Sequence, residues 1–363
     1  MSLYLDYNAT APLCREAKQA MLEAMEWVGN GSSVHQFGRQ VRQKIEQARQ
    51  EVADFFKTSS SSVIFTSGAT EANHLALCGF EGRIIVSAVE HDSVDQARPD
   101  RLVCPVDARG ILDLTALEAL LKKGNAPVLV SVMAANNETG VIQPLEQVVN
   151  LAKQYGAFVH CDAVQAIGRL PFSWEGIDLI SLSAHKLGGP QGVGALVMQT
   201  DIPVKPQLRG GGQERSFRSG TENFLGIVGF AAALKVVKDQ DWVAIEQVRD
   251  TLETRLKALC PDALFLVQEA HRLPNTAVLV MKGVKSATQV MNFDLAGIAV
   301  SAGAACASGK VKSSKVLKAM GVPGELADCS LRVSLGPTSQ MDVIDRFLEV
   351  WMDIYERAHV SSQ

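Results

Sequence analysis

The chain has 363 residues, 47% of them apolar, enough to bury a large core and to form two domains. Its 35 basic and 39 acidic residues leave a net charge of −4, which offers no basic field to nucleic acid. No apolar run approaches the roughly 20 residues needed to cross a bilayer, residues 1–6 lack the basic-then-apolar order of a secretory signal, and seven cysteines without regular spacing suit a reducing cytoplasm.

Residues 1–12 read as an extended segment that joins the C-terminal part, and residues 14–27 as the helix opening a large domain. Residues 59–62 are a short polar turn. From residue 63 to about 198, short β-branched runs alternate with helical patterns, which predicts a mostly parallel sheet with helices on both faces. Each run ends in polar residues. Val63-Ile64-Phe65 leads into Thr66-Ser67-Gly68-Ala69-Thr70-Glu71 and then a helical pattern, so small residues present N–H groups and hydroxyls at a helix N-terminus, an anion site. Ile84-Ile85-Val86 leads to Glu90 and His91. The run 128–132 leads to Asn136, Asn137, Glu138, Thr139 and Gly140, and Phe158-Val159-His160-Cys161 leads to Asp162 and Gln165. Ligands of an open parallel sheet bind outside the carboxyl ends of its strands, so these clusters converge on one crevice. Singly, each has a plainer reading: Thr70 with Glu71 as a capping pair, Asn136-Asn137 as a turn, His91 as a loop histidine.

The run 178–186 ends by presenting Ser183, His185 and Lys186 ahead of Gly188, Gly189 and Pro190. A lysine at the buried end of a strand, beside a second potentially cationic group, has its charged form disfavoured, and a neutral amine is what condenses with an aldehyde cofactor. The glycines let backbone approach a flat ring and its phosphate. This points to pyridoxal 5′-phosphate, although an isolated Ser-x-His-Lys is more often a solvated surface lysine. Asp162 adds weight, because a carboxylate at a buried strand end needs a cationic partner. A protonated pyridine nitrogen supplies one and keeps the ring an electron sink.

Helical patterns at 225–238 and 242–259 carry the chain out of the large domain, taken as residues 13–240. The remainder, residues 241–363, mixes strands at 277–281 and 330–334 with helices at 286–296, 313–319 and 341–357, a smaller α+β domain joined by residues 1–12. No internal repeat is found. Within it, Ser301-Ala302-Gly303-Ala304-Ala305-Cys306-Ala307-Ser308-Gly309 carries one thiol among small residues that pack poorly, so mobility is expected there. A mobile thiol suits a sulfur-transfer step between a pocket and an outside acceptor. Cys78, Cys161 and Cys260 sit among apolar residues and read as small buried hydrophobes.

Ordered blocks along nearly the whole chain resemble the cysteine desulfurases of the iron–sulfur-cluster and nitrogen-fixation type, within the class V aminotransferases. They are Tyr4-Leu5-Asp6-Tyr7-Asn8-Ala9-Thr10, residues 65–71, Glu90-His91, residues 136–140, 162–165, 183–186, Gly210-Gly211-Gly212-Gln213-Glu214, Arg218-Ser219-Gly220-Thr221, residues 301–308 and 330–336. The resemblance implies an α/β protein of PLP fold type I, with a mostly parallel, seven-stranded-type sheet flanked by helices and a smaller α+β domain. By the same resemblance Lys186 carries the pyridoxal phosphate, Asp162 pairs with its pyridine nitrogen, and His91 stacks on the ring and handles protons. Asn137 and Gln165 lie near its phenolic oxygen and the substrate. Ala69, Thr70, Ser183 and His185 hold the phosphate, and Thr221 reaches it from the other subunit of a homodimer. Arg332 clamps the substrate carboxylate, Lys186 takes the α-proton, and Cys306 accepts the sulfur as a persulfide while L-cysteine becomes L-alanine.

The implied partners are L-cysteine and a protein sulfur acceptor such as an iron–sulfur scaffold, in the cytoplasm, with no nucleic acid and no membrane. No resident metal is expected, Cys306 serving at most as a transient iron–sulfur ligand. Two departures stand out. Gly31 replaces the usual proline of Gly-Asn-Pro-Ser-Ser, which predicts a looser loop near the substrate. Ala304 and Ala307 stand where relatives often carry hydroxyls. The rival readings are a thiol-independent class V aminotransferase or lyase, for which Cys306 is incidental, a selenocysteine lyase, and a partner-binding platform, which the full set of Lys186, Asp162, His91 and Cys306 argues against. A metal site at His160, Cys161 and Asp162 makes a poor chelate, since neighbours on a strand point to opposite faces.

Overall fold

A computed structural model describes residues 2–124, 126–303 and 313–360. Its centre is a seven-stranded sheet in the order Val63–Thr66, Gly194–Met198, Leu179–Ser183, Phe158–Asp162, Val128–Ser131, Arg83–Ser87 and Leu102–Cys104. Gly194–Met198 runs antiparallel to both neighbours and the others run parallel to one another. The β-branched runs are apolar throughout because both faces are covered. Ile85, Val130, Val159 and Ile180 enter one core, whereas Ile84, Val86, Leu129 and Leu179 enter the core on the opposite face.

The first core is closed by three helices. The helix Phe224–Val236 is apolar all round and packs between Arg15–Met25 and Gln36–Phe56. Gln36–Phe56, the longest helix, lies where the sequence reading gives no element. It buries Val41, Ile45, Ala48, Val52 and Phe56, a stripe at helical spacing. The opening helix is shorter than residues 14–27 because Cys14 is its cap, its Sγ accepting from Ala17 N at 3.4 Å. At the loop where Gly31 replaces proline, Asn30 closes the turn instead, its Oδ1 accepting from Ser32 N and its carbonyl from Ser33 N, both at 2.9 Å.

A second, four-stranded antiparallel sheet runs in the order Ser301–Ala302, Ser330–Ser334, Thr276–Val280, Leu264–Leu266. The helices Trp242–Leu259, Ser286–Leu295 and Asp342–Val360 cover it, with Phe293 stacked on Phe347 at 4.8 Å. The helix expected over 313–319 begins at Lys315, because Ser314 is spent as its cap. The N-terminal strand Leu3–Tyr4 pairs in parallel with Ile298–Ala299, and the backbone of Leu5 and Tyr7 then bonds to Ser334. Residues 3–8 therefore lie against the second sheet on their way to the first. Among the described residues no helix is long and apolar enough to cross a membrane.

Candidate active site

The carboxyl ends of Val63–Thr66, Phe158–Asp162 and Leu179–Ser183 open into a cleft of about 580 Å3 that faces the second sheet. Ala69, Thr70, His91, Asn137, Asp162, Gln165, Ser183, His185, Lys186 and Arg332 all line it. Their convergence follows from strand order, since the segments carrying them are far apart in sequence.

The turn after Val63–Thr66 starts the helix Ala69–Gly79, whose first N–H groups have no partner within the helix. The turn sits close against Gly194, where a Cβ would fall 2.8 Å from Gly68 Cα. Glu71 plays the plainer, capping part, accepting from Ser67 N at 2.8 Å and pairing with Arg218 at 2.7 Å. Ser183 and His185 lie opposite. Burial, then the neighbouring Lys186, pulls the His185 pKa down to about 4, so the ring is neutral, and its Nδ1 meets Thr10 Oγ1 at 3.1 Å. A helix N-terminus with hydroxyls and neutral donors around it suits a phosphate.

Asp162 is 6% exposed. Its Oδ1 accepts from Val164 N at 3.1 Å and its Oδ2 from Asn73 Nδ2 at 2.8 Å, and no cation pairs with it among the described residues. A buried carboxylate held in this way fits a pyridinium nitrogen. Asn73 also donates to Ser93 Oγ at 2.8 Å, and Ser93 Oγ lies 2.8 Å from His91 Nδ1. His91 Nδ1 accepts from Ser93 N, which leaves Nε2 as the protonated nitrogen of the neutral ring, and burial holds the His91 pKa below its ordinary value. Asn73 and Ser93 escaped the sequence reading. Asn73 stands one helical turn after Thr70, which is the signal that places it on the same face.

Lys186 Nζ donates to the carbonyls of Asn8 at 2.6 Å and Ala9 at 2.8 Å. Asn8 is a junction. Its carbonyl also accepts from Gln165 Nε2 at 3.0 Å, and its Oδ1 accepts from Arg169 at 2.7 Å and from Asn275 at 3.1 Å. Its Nδ2 donates to Thr276 Oγ1 at 2.9 Å and to the Asn137 carbonyl at 3.2 Å, and its N–H to Ser334 Oγ at 3.0 Å. Arg169 further donates to Gln165 Oε1 at 2.7 Å, fixing the amide of Gln165. Asn8 falls within a block of the resemblance and Arg169 within none, and neither carries a local sequence signal of this part.

Arg332 lies on Ser330–Ser334, opposite Ser301 of the neighbouring strand. Its Nη1 donates to the Asn137 carbonyl at 2.9 Å, Nη2 meets Asp6 at 2.6 Å, and Nε is buried with no partner among the described residues. Cys306, with Ala304 and Ala307, lies outside the described residues, but the segment that carries it leaves the second sheet at Ala302, beside Arg332. Thr221 is exposed and is not part of this cleft.

Other titratable groups are structural. His160 is held by Ser131 and Ser181 at 2.8 and 2.9 Å, and burial pulls its pKa down to about 3. Asn136 is the turn residue of its plainer reading, its Oδ1 accepting from Glu138 N and Thr139 N. Cys161 and Cys260 are buried as expected, but Cys78 is only half-buried and donates to the Ala97 carbonyl at 3.2 Å. Burial raises the pKa of Cys78 and Cys161 and takes that of Cys104 to about 12, so these thiols are not activated. Among the described residues no group of His, Cys, Asp and Glu is arranged to hold a metal.

Fold and cleft define a class: the chain belongs to the aminotransferase class-V family, whose family model matches residues 3–347. Within that class it stands with the cysteine desulfurases. It is 42% identical over 378 residues to the cysteine desulfurase of Cereibacter sphaeroides, covering 99% of this chain and 97% of that one. The NifS-like protein of Rickettsia africae superposes with a TM-score of 0.91 at 36% identity, covering 98% and 100% of the two chains. SspA, solved in complex with cysteine, gives a TM-score of 0.78 at 26% identity over 93% and 100%. The architecture is PLP fold type I.

Proposed function

We propose that the protein is a PLP-dependent L-cysteine desulfurase that moves the substrate's sulfur onto Cys306 and releases L-alanine. The observation that carries this reading is the meeting of Lys186, Asp162, His91 and a helix N-terminus in one cleft, beside the strand from which the thiol-bearing segment departs. Lys186 would anchor the cofactor's aldehyde, Asp162 its pyridine nitrogen, and Ala69, Thr70, Ser183 and His185 its phosphate, with Asn137 and Gln165 near its phenolic oxygen. When bound, pyridoxal phosphate supplies the sink for electrons released at the substrate's Cα.

Arg332 receives the substrate carboxylate, its unspent Nε and the Nη2 now paired with Asp6 offering two parallel donors. The Lys186 amine takes the Cα proton, and His91 handles protons on the substrate side: its Nε2–H donates a hydrogen bond there, and Nε2 takes up a proton once the ring shifts to the Nδ1–H tautomer, with Ser93 Oγ as acceptor. Cys306 then attacks the substrate sulfur. An S–S bond forms as the C–S bond breaks, and the remaining three-carbon acid takes up protons to leave as alanine. Three residues separate Ala302, beside Arg332, from Cys306, a chain length of at most about 14 Å.

Release of sulfur to a protein acceptor such as an iron–sulfur scaffold follows from a thiol on such a segment, and unpaired cysteines among the described residues fit a cytoplasmic setting. The division into residues 13–240 and 241–363 is supported by two separate cores. A homodimer is supported by the run of exposed Leu22, Met25, Trp27, Val28, Val34 and Phe37, an apolar face a soluble monomer rarely carries. Exposed Thr221 would then be given to the partner's phosphate. The test is an assay of alanine and sulfide from L-cysteine with a thiol reductant. The wild type should produce both, and Cys306→Ser should lose sulfide release by about 10³-fold while still binding the cofactor. Near-normal sulfide from the variant would sink the assignment of the nucleophile, and absence of alanine from the wild type would sink the activity.

A further inference from the structure

Arg169, which holds Asn8 and Gln165 in the cleft, also lines a second and larger cavity of about 800 Å3. Its walls are partly aromatic. Phe56 and Phe172 each lie 5.5 Å from Trp174, Phe55 and Trp242 also line it, and polar and charged side chains make up much of the remainder.

Three observations give the cavity a polarity. Arg169 is 3% exposed, and its guanidinium meets only neutral oxygens, with no carboxylate in ion-pair range among the described residues. Burial, with the charge of Arg332, pulls its pKa down to about 9, so at neutral pH it remains a cation without a counter-ion. The Trp242 ring lies 5.9 Å from Arg169 Cζ, and its indole N–H is buried with no acceptor among the described residues. A buried donor without an acceptor is costly, and one beside an uncompensated cation marks a place for an oxygen anion. At the rim Lys238 lies 4.5 Å from the Phe55 ring. Of the three acids in the lining, Asp241 caps the helix Trp242–Leu259 through Ala244 N at 3.0 Å, Glu246 pairs with Arg249 at 3.1 Å, and Glu175 is exposed to solvent.

We propose that this cavity binds a planar aromatic carboxylate, its ring against Phe56, Phe172 and Trp174 and its carboxylate on Arg169 and the Trp242 N–H, and that occupancy is felt in the catalytic cleft through Arg169. A carboxylate taken by Arg169 competes with Gln165 Oε1 and Asn8 Oδ1 for the same N–H groups. Asn8 and Gln165 are then freed to shift, and Lys186 with them. The coupling rests on the desulfurase reading of the cleft, whereas the binding does not.

The probe is 2-naphthoate, titrated into the purified full-length protein carrying its cofactor and followed by tryptophan fluorescence, with 2-naphthamide as a neutral match in shape. Saturable quenching is expected, with naphthoate binding about tenfold tighter than the amide, a difference of about 1.4 kcal/mol. Trp174→Ala and the exposed rim variant Lys238→Glu should each weaken it about tenfold. The cofactor's absorbance should change with the same midpoint. No saturation, equal affinity for the amide, or unchanged affinity in both variants overturns the site. Binding with no spectral change overturns the coupling. A protein that binds naphthoate as expected yet forms no alanine from cysteine refutes the activity and leaves this site standing.

Discussion

The two halves of the cleft are built differently. The half that would hold the cofactor lies at the carboxyl edge of the seven-stranded sheet, and two of its groups are fixed from within that layer, Asp162 by Asn73 and Val164 N and His91 by Ser93, while Lys186 is held from the N-terminal segment. The half that would hold the substrate is assembled across layers. Arg332 sits on the second sheet and is oriented by Asp6 from the N-terminal segment and by the Asn137 carbonyl from the turn that follows Val128–Ser131. Electronic work would thus fall at the edge of one sheet, and recognition where two layers and a strap must agree. Changes in the first half should act on kcat and changes in the second on KM.

The largest effect is expected for Asp162→Asn, which keeps the side chain's size but removes the charge and one of its two acceptors. Desulfuration should fall by about 10³-fold in kcat with little change in KM, measured as alanine formed. A variant that loses only affinity for L-cysteine breaks the division of labour.

Next comes Glu138, which sits at the junction of the halves with its Oε2 accepting from Ser314 Oγ at 2.5 Å. Burial raises its pKa from the ordinary 4.5 to about 7. Because the folded value is the higher one, its contribution to stability is complete below about pH 4.5 and is lost as the pH climbs through 7. Between pH 4.5 and 8 the urea stability of the wild type should therefore fall relative to Glu138→Gln by about 3 kcal/mol. A difference that stays flat with pH contradicts this. His160, inside the first sheet, slopes the other way: held neutral by burial, it stabilises above pH 6.5, and that stability is lost as the pH falls toward 3.

Arg332→Lys should raise KM for L-cysteine about 30-fold, roughly 2 kcal/mol, by exchanging two parallel donors for a point charge, while kcat moves far less. A kcat loss as large as that of Asp162→Asn would merge the two halves into one unit. The smallest effect is for Ser93→Ala, which takes the hydroxyl from between His91 and Asn73. It should cost about fivefold in kcat, roughly 1 kcal/mol, and leave KM alone, as read by steady-state kinetics.

The first half was legible in the sequence because each of its groups ends a β-branched run, so local pattern and the topology of a parallel sheet suffice to bring Thr70, His91, Asp162 and Lys186 together. Arg332 came from the resemblance, since an arginine in mid-strand carries no signal of its own. Asn8 and Arg169 were missed for a related reason. Their importance lies in contacts with residues more than 150 positions away, and no periodicity encodes such a distance. Arg169 reads locally as a polar residue in a turn, and only burial without a carboxylate partner shows its weight. The helix Gln36–Phe56 escaped because its buried face is partly made of alanine and its remaining faces are crowded with Gln, Arg, Lys and Glu.

The junction at Asn8 bears on the order in which the molecule is made. Its N–H bonds to Ser334 Oγ, 326 positions further along the chain. At translation rates of about 5–20 residues per second, Asn8 emerges on the order of 20–60 s before its partner exists. During that interval the strand Leu3–Tyr4 also lacks Ile298–Ala299, so the beginning of the strap is an exposed strand edge beside a sheet that is already complete. Nascent chains are therefore expected to bring Lys186, which donates to the Asn8 carbonyl, into register last, when the segments around Asn8 and Ser334 finally meet.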